Sequence, residues 1–151
     1  LSNYLGYIEE AFLAYKTERY NIKGKDVVAG NCKYYLNDLS FKNFLYPGFA
    51  YGVGYLLENA VYLELRRLGY IVYTGSFRDK EVDFVAMKDD RVIYLQATYM
   101  LETAQTMERE YAPLLTIGDN YEKYVVSMDE VQFPSNEGVR HIQAWNLKEI
   151  L

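Results

Sequence analysis

The sequence predicts an α/β fold in which a small mixed β-sheet carries helices on its faces. The first observation is a strong amphipathic helix over residues 55–68, with leucine and valine at helical spacing. The second is a run of short apolar segments with the length of strands, at 70–74, 81–87 and 91–99. The third is the order of elements, because a helix at 103–117 and a strand at 123–128 follow.

Turn residues support this order. Gly69 ends the first helix, as glycine commonly does at a helix C-terminus. The turn at 88–90, Lys-Asp-Asp, predicts that the strands 81–87 and 91–99 are adjacent and antiparallel. Pro113 is expected to disturb the second helix. A fifth strand at 139–145 and a short helix at 147–151 complete the prediction.

The first 46 residues show a different pattern. A helix at 2–11, a strand, an exposed turn, a second strand at 32–36 and a short helix at 39–45 are typical of the end of a winged-helix domain. Its first two helices are lacking, so we interpret the chain as a piece of a longer protein. Pro47-Gly48 is the expected boundary, which gives a partial winged-helix segment at 1–46 and a second domain at 47–151.

Charge restricts nucleic-acid binding to the first segment. The chain has a net charge of −5, and residues 47–151 carry the acidic excess. Contacts to a phosphate backbone depend on Lys and Arg, so this larger part is a poor candidate for DNA binding. Lys23 and Lys25 lie on the predicted wing and are the candidate nucleic-acid contacts, with an ordinary solvated turn as the alternative.

Other classes of site are excluded by composition. A single Cys32 and a single His141 rule out an internal disulfide and make a zinc site improbable, which fits a reducing cytoplasm. No run is long and apolar enough to cross a membrane, so no membrane partner is expected. The glycine-rich stretch at 48–54 precedes a helix but lacks the Lys-Ser/Thr ending of a phosphate-binding loop.

Polar residues interrupt apolar elements at a few positions. Glu58 lies at the border of the first helix's apolar stripe, where Glu64 is a rival acid. Asp83 lies in a strand that is apolar on both sides of it, and a buried carboxylate is costly without a partner or a metal. Gln96 and Thr98 are two residues apart on the next strand and therefore share a side. Asp83 has two interpretations, a metal ligand or a hydrogen-bonded structural residue.

This order of motifs resembles the PD-(D/E)XK nuclease fold, the restriction-endonuclease-like architecture. More narrowly, LLENAVYLELRRLGYIVYTG, EVDFVA and VIYLQATY are similar to the C-terminal domain of prokaryotic AAA+ ATPases. The preceding YIEEAFLAYKTERY and KYYLND are similar to the winged-helix segment which that family carries before this domain. The resemblance covers nearly the whole chain. It implies that ATP would bind only to a missing N-terminal ATPase domain.

The resemblance also implies site roles. Asp83 would be the central Mg²⁺ ligand, Glu58 a ligand from the first helix and Gln96 a weaker neutral ligand, because Mg²⁺ prefers oxygen donors. Thr98 stands where the family has a lysine, and threonine supplies no cation to position the nucleophile. Lys80 and Lys88 flank the Asp83 strand as turn residues. The four residues Glu58, Asp83, Gln96 and Thr98 are therefore interpreted as a relic catalytic site.

We expect a regulatory or interaction domain of a cytoplasmic AAA+ ATPase, with a protein or nucleic acid as its partner. One alternative is a Mg²⁺-dependent DNA endonuclease that uses Glu58, Asp83 and Gln96. The other is a nucleic-acid-binding module that acts through the wing.

Overall fold

The computed structural model describes residues 2–48 and 52–151, and the side chains from residue 4 onward within them. The helices are α1 (Ser2–Glu10), α2 (Ser40–Leu45), α3 (Val53–Arg67), α4 (Ala104–Leu115) and a final 3₁₀ helix (Ala144–Glu149). The strands are β1 (Ala14–Asn21), β2 (Asp26–Leu36), β3 (Ile71–Phe77), β4 (Lys80–Lys88), β5 (Arg91–Ala97), β6 (Glu122–Ser127) and β7 (Val139–Gln143). No described helix has the length and apolar character that a membrane crossing requires.

The strands form one mixed sheet in the order β2-β1-β3-β4-β5-β6-β7. The pairs β1–β2, β3–β4 and β4–β5 are antiparallel, whereas β1–β3, β5–β6 and β6–β7 are parallel. The predicted α/β class, with a mixed sheet flanked by helices, is confirmed. The predicted antiparallel hairpin of β4 and β5 is also confirmed, with Lys88 paired to Arg91 at its turn.

Alternating side chains divide the core between the two faces of the sheet. On β5, Ile93 and Leu95 pack in a cluster with residues of α3, whereas Tyr94 packs in a second cluster with residues of α4. This is the period of two that an extended strand imposes. The helices α3 and α4 therefore bury their apolar sides against opposite faces of the same sheet.

Strands from both sides of the predicted boundary at Pro47 belong to this sheet. β1 pairs in parallel with β3, and Tyr35 of β2 is buried in the cluster on the α3 side. The predicted strand at 32–36 is the end of a much longer β2. The division into segments 1–46 and 47–151 stays a prediction from the sequence.

The elements near the C-terminus differ from the prediction in detail. α4 continues through Pro113 and ends two residues later, so the proline lies in its last turn. The last strand ends at Gln143, whose side chain donates to the carbonyl oxygens of Asp129 and Glu130. The final helix begins at Ala144, directly after β7, and is a 3₁₀ helix.

A β-bulge between β3 and β4 sets the direction of Asp83. Tyr73 pairs with Val85 and Gly75 pairs with Val82, so two residues of β4, Asp83 and Phe84, lie opposite one residue of β3. Val82 and Val85 consequently both face α4. Strict alternation from Phe84, which faces α3, would turn Asp83 towards α4; the bulge turns it towards α3 instead.

Gly75 is required at this bulge by close packing. A Cβ atom there would lie 2.8 Å from Val85 Cγ2 and 3.0 Å from both Ile22 Cδ1 and Val82 Cβ. We predict that Gly75→Ala lowers the free energy of unfolding by about 1–3 kcal/mol, because the added methyl overpacks the core.

Urea denaturation followed by circular dichroism measures this change. Gly54→Ala is the matched control, since no atom lies within 4 Å of a Cβ at that helical position. Because alanine favours a helix more than glycine does, this control should leave the free energy of unfolding unchanged or raise it by up to about 1 kcal/mol. Equal effects of the two substitutions would contradict the packing explanation.

Candidate functional site

The structure brings Glu58 of α3 and Asp83 of β4 to the same lysine. Lys33 of β2 places its Nζ 2.9 Å from Glu58 Oε1 and 3.3 Å from Asp83 Oδ1. The same Nζ lies 3.0 Å from Glu81 Oε1. Three carboxylates from two elements therefore surround one ammonium group, and the ammonium is held by a third element.

Further hydrogen bonds fix the two predicted carboxylates. The Tyr35 hydroxyl donates to Glu58 Oε1 at 2.7 Å, and the Ala97 backbone N–H donates to Asp83 Oδ2 at 3.0 Å. The side chains of Glu58 and Asp83 are only 13% and 11% exposed, whereas that of Lys33 is 29% exposed. The acids are thus nearly buried and preoriented, and the lysine closes the solvent side of the pair.

Gln96 and Thr98 are placed differently. The Gln96 amide accepts a hydrogen bond from the Asp83 backbone N–H through Oε1 and donates to Glu110 Oε2 of α4, both at 3.2 Å. Its side chain therefore connects the bulge to the α4 side and does not join the carboxylates. Thr98 is buried, and its backbone N–H donates to the Val126 carbonyl at 3.0 Å.

Burial and neighbouring charges shift the pKa values of Asp83 and Lys33. Desolvation, followed by the negative charge of Glu58, raises the pKa of Asp83 to about 7, although Lys33 opposes this rise. For Lys33, burial lowers the pKa, but the charges of Asp83 and Glu58 outweigh it and leave the pKa above its ordinary value. Lys33 is consequently charged near neutral pH, and the raised pKa of Asp83 brings its titration into that range.

These residues do not fit a divalent metal as they stand. Among the described residues, no three His, Cys, Asp or Glu side chains form a group that could hold a metal ion. Glu58 Oε1 and Asp83 Oδ1 both accept a hydrogen bond from the Lys33 ammonium. A divalent cation needs several hard oxygen ligands at short range. Here the carboxylate oxygens of Glu58 and Asp83 pair with the Lys33 ammonium instead.

The other predicted residues lie outside this cluster. Lys23 and Lys25 are exposed in the β1–β2 turn, where Lys25 has a φ of 57°. Glu64, the rival helical acid, forms an ion pair with Arg67 at 2.7 Å. Lys88 donates to the Leu68 carbonyl at 3.0 Å and stays at the turn. Glu58 is therefore the acid of α3 that reaches Asp83.

Sequence reasoning missed Lys33, Tyr35, Glu81 and Glu110. A period-of-two pattern carries part of the signal, since Lys33 and Tyr35 share one side of β2, and Glu81 and Asp83 are two residues apart on β4. The pairing of β2 with the rest of the sheet was not visible in the sequence. Glu110 was missed because acidic residues are common on amphipathic helices such as α4. It is only 6% exposed and accepts a hydrogen bond from Gln96.

Two proteins without an assigned function are similar to this chain. An uncharacterized protein of Haemophilus influenzae is 36% identical over 127 residues, which is 84% of this chain and 31% of that protein. An uncharacterized protein of Methanocaldococcus jannaschii is 32% identical over 112 residues, 72% of this chain and 24% of that protein. The chain thus spans less than a third of the length of either relative. No family model and no solved structure matches it.

The pKa of Asp83 predicts a pH-dependent stability. Its pKa in the folded state lies above the ordinary value of 3.8, so the folded protein binds a proton that the unfolded chain has lost. The stability that Asp83 contributes is present below pH 4 and is lost as the pH rises through 7. The free energy of unfolding of the wild type, relative to Asp83→Asn, should therefore fall between pH 4 and 8, by at most about 1.4 kcal/mol per pH unit.

Urea denaturation of both proteins in buffers from pH 4 to 8 measures this difference. The ionisations that the two proteins share cancel in the comparison to a first approximation. A difference that stays flat, or that rises with pH, would show that Lys33 outweighs burial at Asp83.

Removal of the Lys33 charge should be strongly destabilising. Lys33→Met leaves Glu58 and Asp83 without their shared cation, and we expect a loss of about 2 kcal/mol, reduced from a fully buried pair because Lys33 is partly exposed. Lys16→Met is the control, since Lys16 is exposed on β1 and should tolerate the change within about 0.5 kcal/mol. Thermal and urea unfolding at pH 8 test this, and equal stability of the two variants would contradict it.

Proposed function

We propose that this chain is a regulatory or interaction domain of a cytoplasmic AAA+ ATPase, built on a restriction-endonuclease-like sheet whose nuclease site is degenerate. The observation that carries the loss of the nuclease site is the Lys33 ammonium between Glu58 and Asp83, whereas the AAA+ assignment rests on the resemblance of the sequence motifs. A nuclease of this fold needs those carboxylates for a divalent metal, and here they hold a side chain of the same protein.

The order and pairing of the elements support the nuclease-like fold. α3 supplies an acid, the bulged strand β4 supplies an aspartate, and the hairpin to β5 and the helix α4 follow in the order that the resemblance implies. The length of the two relatives supports membership in a larger protein, since the similar region is 31% and 24% of their chains.

The chemistry of the site supports the loss of catalysis. Transfer of a phosphoryl group requires a positive charge that is directed at the developing negative charge of the transition state. Thr98 supplies none, and the charge of Lys33 is directed at three carboxylates. The Gln96 amide is engaged by Asp83 N and Glu110, so it offers no further oxygen on the α3 side.

One observation favours a second candidate, the Mg²⁺-dependent endonuclease. An ammonium lies within 3.3 Å of both predicted carboxylates, and an ammonium is the group that Thr98 fails to supply. If Lys33 released the carboxylates when DNA and metal bind, it would stand near the reacting phosphate.

A cleavage assay decides between the two candidates. The 151-residue chain is incubated with supercoiled plasmid and single-stranded DNA in the presence of Mg²⁺ or Mn²⁺, and we expect no cleavage above the buffer control. The reason is that the site holds no free cation for the developing charge. Asp83→Ala and Lys33→Met serve as parallel samples, and Thr98→Lys restores the residue of the resembled family.

Cleavage that appears only with Thr98→Lys would support a relic site. Metal-dependent cleavage by the wild type, abolished by both Asp83→Ala and Lys33→Met, would overturn the proposal and establish the endonuclease with Lys33 in the lysine role. Cleavage that survives Asp83→Ala would indicate a contaminating nuclease, and repurification must then remove it before the comparison is made.

A further inference from the structure

The edge strand β2 borders a cleft beside the ion-paired site. The cleft has a volume of about 460 Å³ and lies between β2 and the helices α2 and α3. Its apolar walls come from Tyr35, Leu39, Tyr55 and Leu56. Among the strands that the structure describes, β2 stands at the end of the sheet order and pairs with β1 alone, and its residues 33–36 line the cleft.

The Asn59 side chain shows what chemistry the outer edge of β2 accepts. The Leu36 N–H donates to Asn59 Oδ1 at 2.8 Å, and Asn59 Nδ2 donates to the Leu36 carbonyl at 2.9 Å. One side-chain amide thus makes both bonds that the backbone N–H and C=O of one residue in an adjacent antiparallel strand would make. Asn59 is buried, with 7% of its surface exposed, so this pairing is a fixed part of the structure.

The same outer edge continues from Leu36 to Tyr34. The Asn37 N–H points the other way and donates to the Leu13 carbonyl at 3.0 Å, towards β1. Backbone groups of successive strand residues alternate in direction, so the groups of Tyr34 point away from β1, as those of Leu36 do. Tyr34 also lines the cleft. Its N–H and carbonyl are therefore presented to whatever enters there.

We propose that the cleft binds an extended peptide segment of a partner protein, which pairs with β2 at Tyr34 as an added strand. The peptide backbone forms hydrogen bonds with Tyr34, next to those that Asn59 forms with Leu36. An apolar side chain of the peptide packs against Leu39, Tyr55 and Leu56. This mode takes affinity from main-chain hydrogen bonds and specificity from the pockets for alternate side chains. The inference rests on the proposed function, because it names the class of partner for the interaction domain.

A matched pair of substitutions at Tyr34 isolates the backbone contribution. Tyr34→Ala and Tyr34→Pro both remove the side chain, including its interaction with Glu9. Only proline also removes the outward N–H, and it places its ring where the added strand would lie. Proline is tolerated on edge strands, and it requires an extended residue before it, which Lys33 already is. Circular dichroism and thermal unfolding confirm that both variants fold.

The probe is a phage-displayed library of random linear peptides, selected on the wild-type 151-residue chain. Selected peptides are synthesised and titrated by calorimetry against the wild type and both variants. We expect binding to Tyr34→Ala within about threefold of wild type and binding to Tyr34→Pro weaker by about tenfold or more, because one hydrogen-bonded rung is lost. Leu56→Ser, which changes the wall of the cleft, should also weaken the apolar peptides.

Other outcomes overturn the inference. Failure to select any peptide, or equal binding to Tyr34→Pro and Tyr34→Ala, would exclude strand addition at this edge. A wild-type dimer in sedimentation velocity that Tyr34→Pro converts to monomer would assign the edge to a second copy of this chain. Binding of an oligonucleotide in the cleft, with no peptide retained, would assign it to nucleic acid. DNA cleavage concerns Asp83 and Lys33, so its result overturns the proposed function independently of these measurements.

Discussion

The ammonium of Lys33 links side chains of three elements of the fold, β2, α3 and β4. It joins β2 to α3 through Glu58 and to β4 through Glu81 and Asp83. Two nearly buried carboxylates in one site would repel each other, and burial of their charges would be costly without a counterion. Lys33 supplies the counterion that both Glu58 and Asp83 share, while Asn59 and Tyr35 add uncharged contacts between β2 and α3.

Periodicity predicted most of the fold, since the helices of 3.6-residue period and the short apolar strands after residue 55 are visible without the structure. The sequence also marked Asp83 as a residue that needed a partner. Lys33 could not be predicted as that partner. It reaches Asp83 because β1 pairs in parallel with β3, and no local sequence pattern predicts this pairing. Pairing between strands that lie far apart in the sequence is seen in the folded structure but cannot be predicted from local sequence patterns.

The β-bulge explains why the predicted four-residue site is divided between two faces. Gln96 lies on the side of β5 that faces α4, where its amide donates to Glu110. The extra residue on β4 sends Asp83 to the opposite side, towards Glu58. Sequence spacing gives the direction of a side chain only while the strand stays regular, and a single inserted residue reverses it.

The parallel pair β1–β3 has a consequence for the order of assembly during synthesis. The β1–β2 hairpin leaves the ribosome before α3, β3 and β4 exist, because chains emerge from their N-terminus. Until then Lys33 stays hydrated, and the apolar side of the hairpin, with Tyr35, has no helix to cover it. We therefore expect the hairpin to become stably ordered only after α3 and β4 have been made and their acids can pair with Lys33. The ion pairs of Lys33 with Glu58 and Asp83 would then form in the step that adds the β1–β2 hairpin to the rest of the sheet.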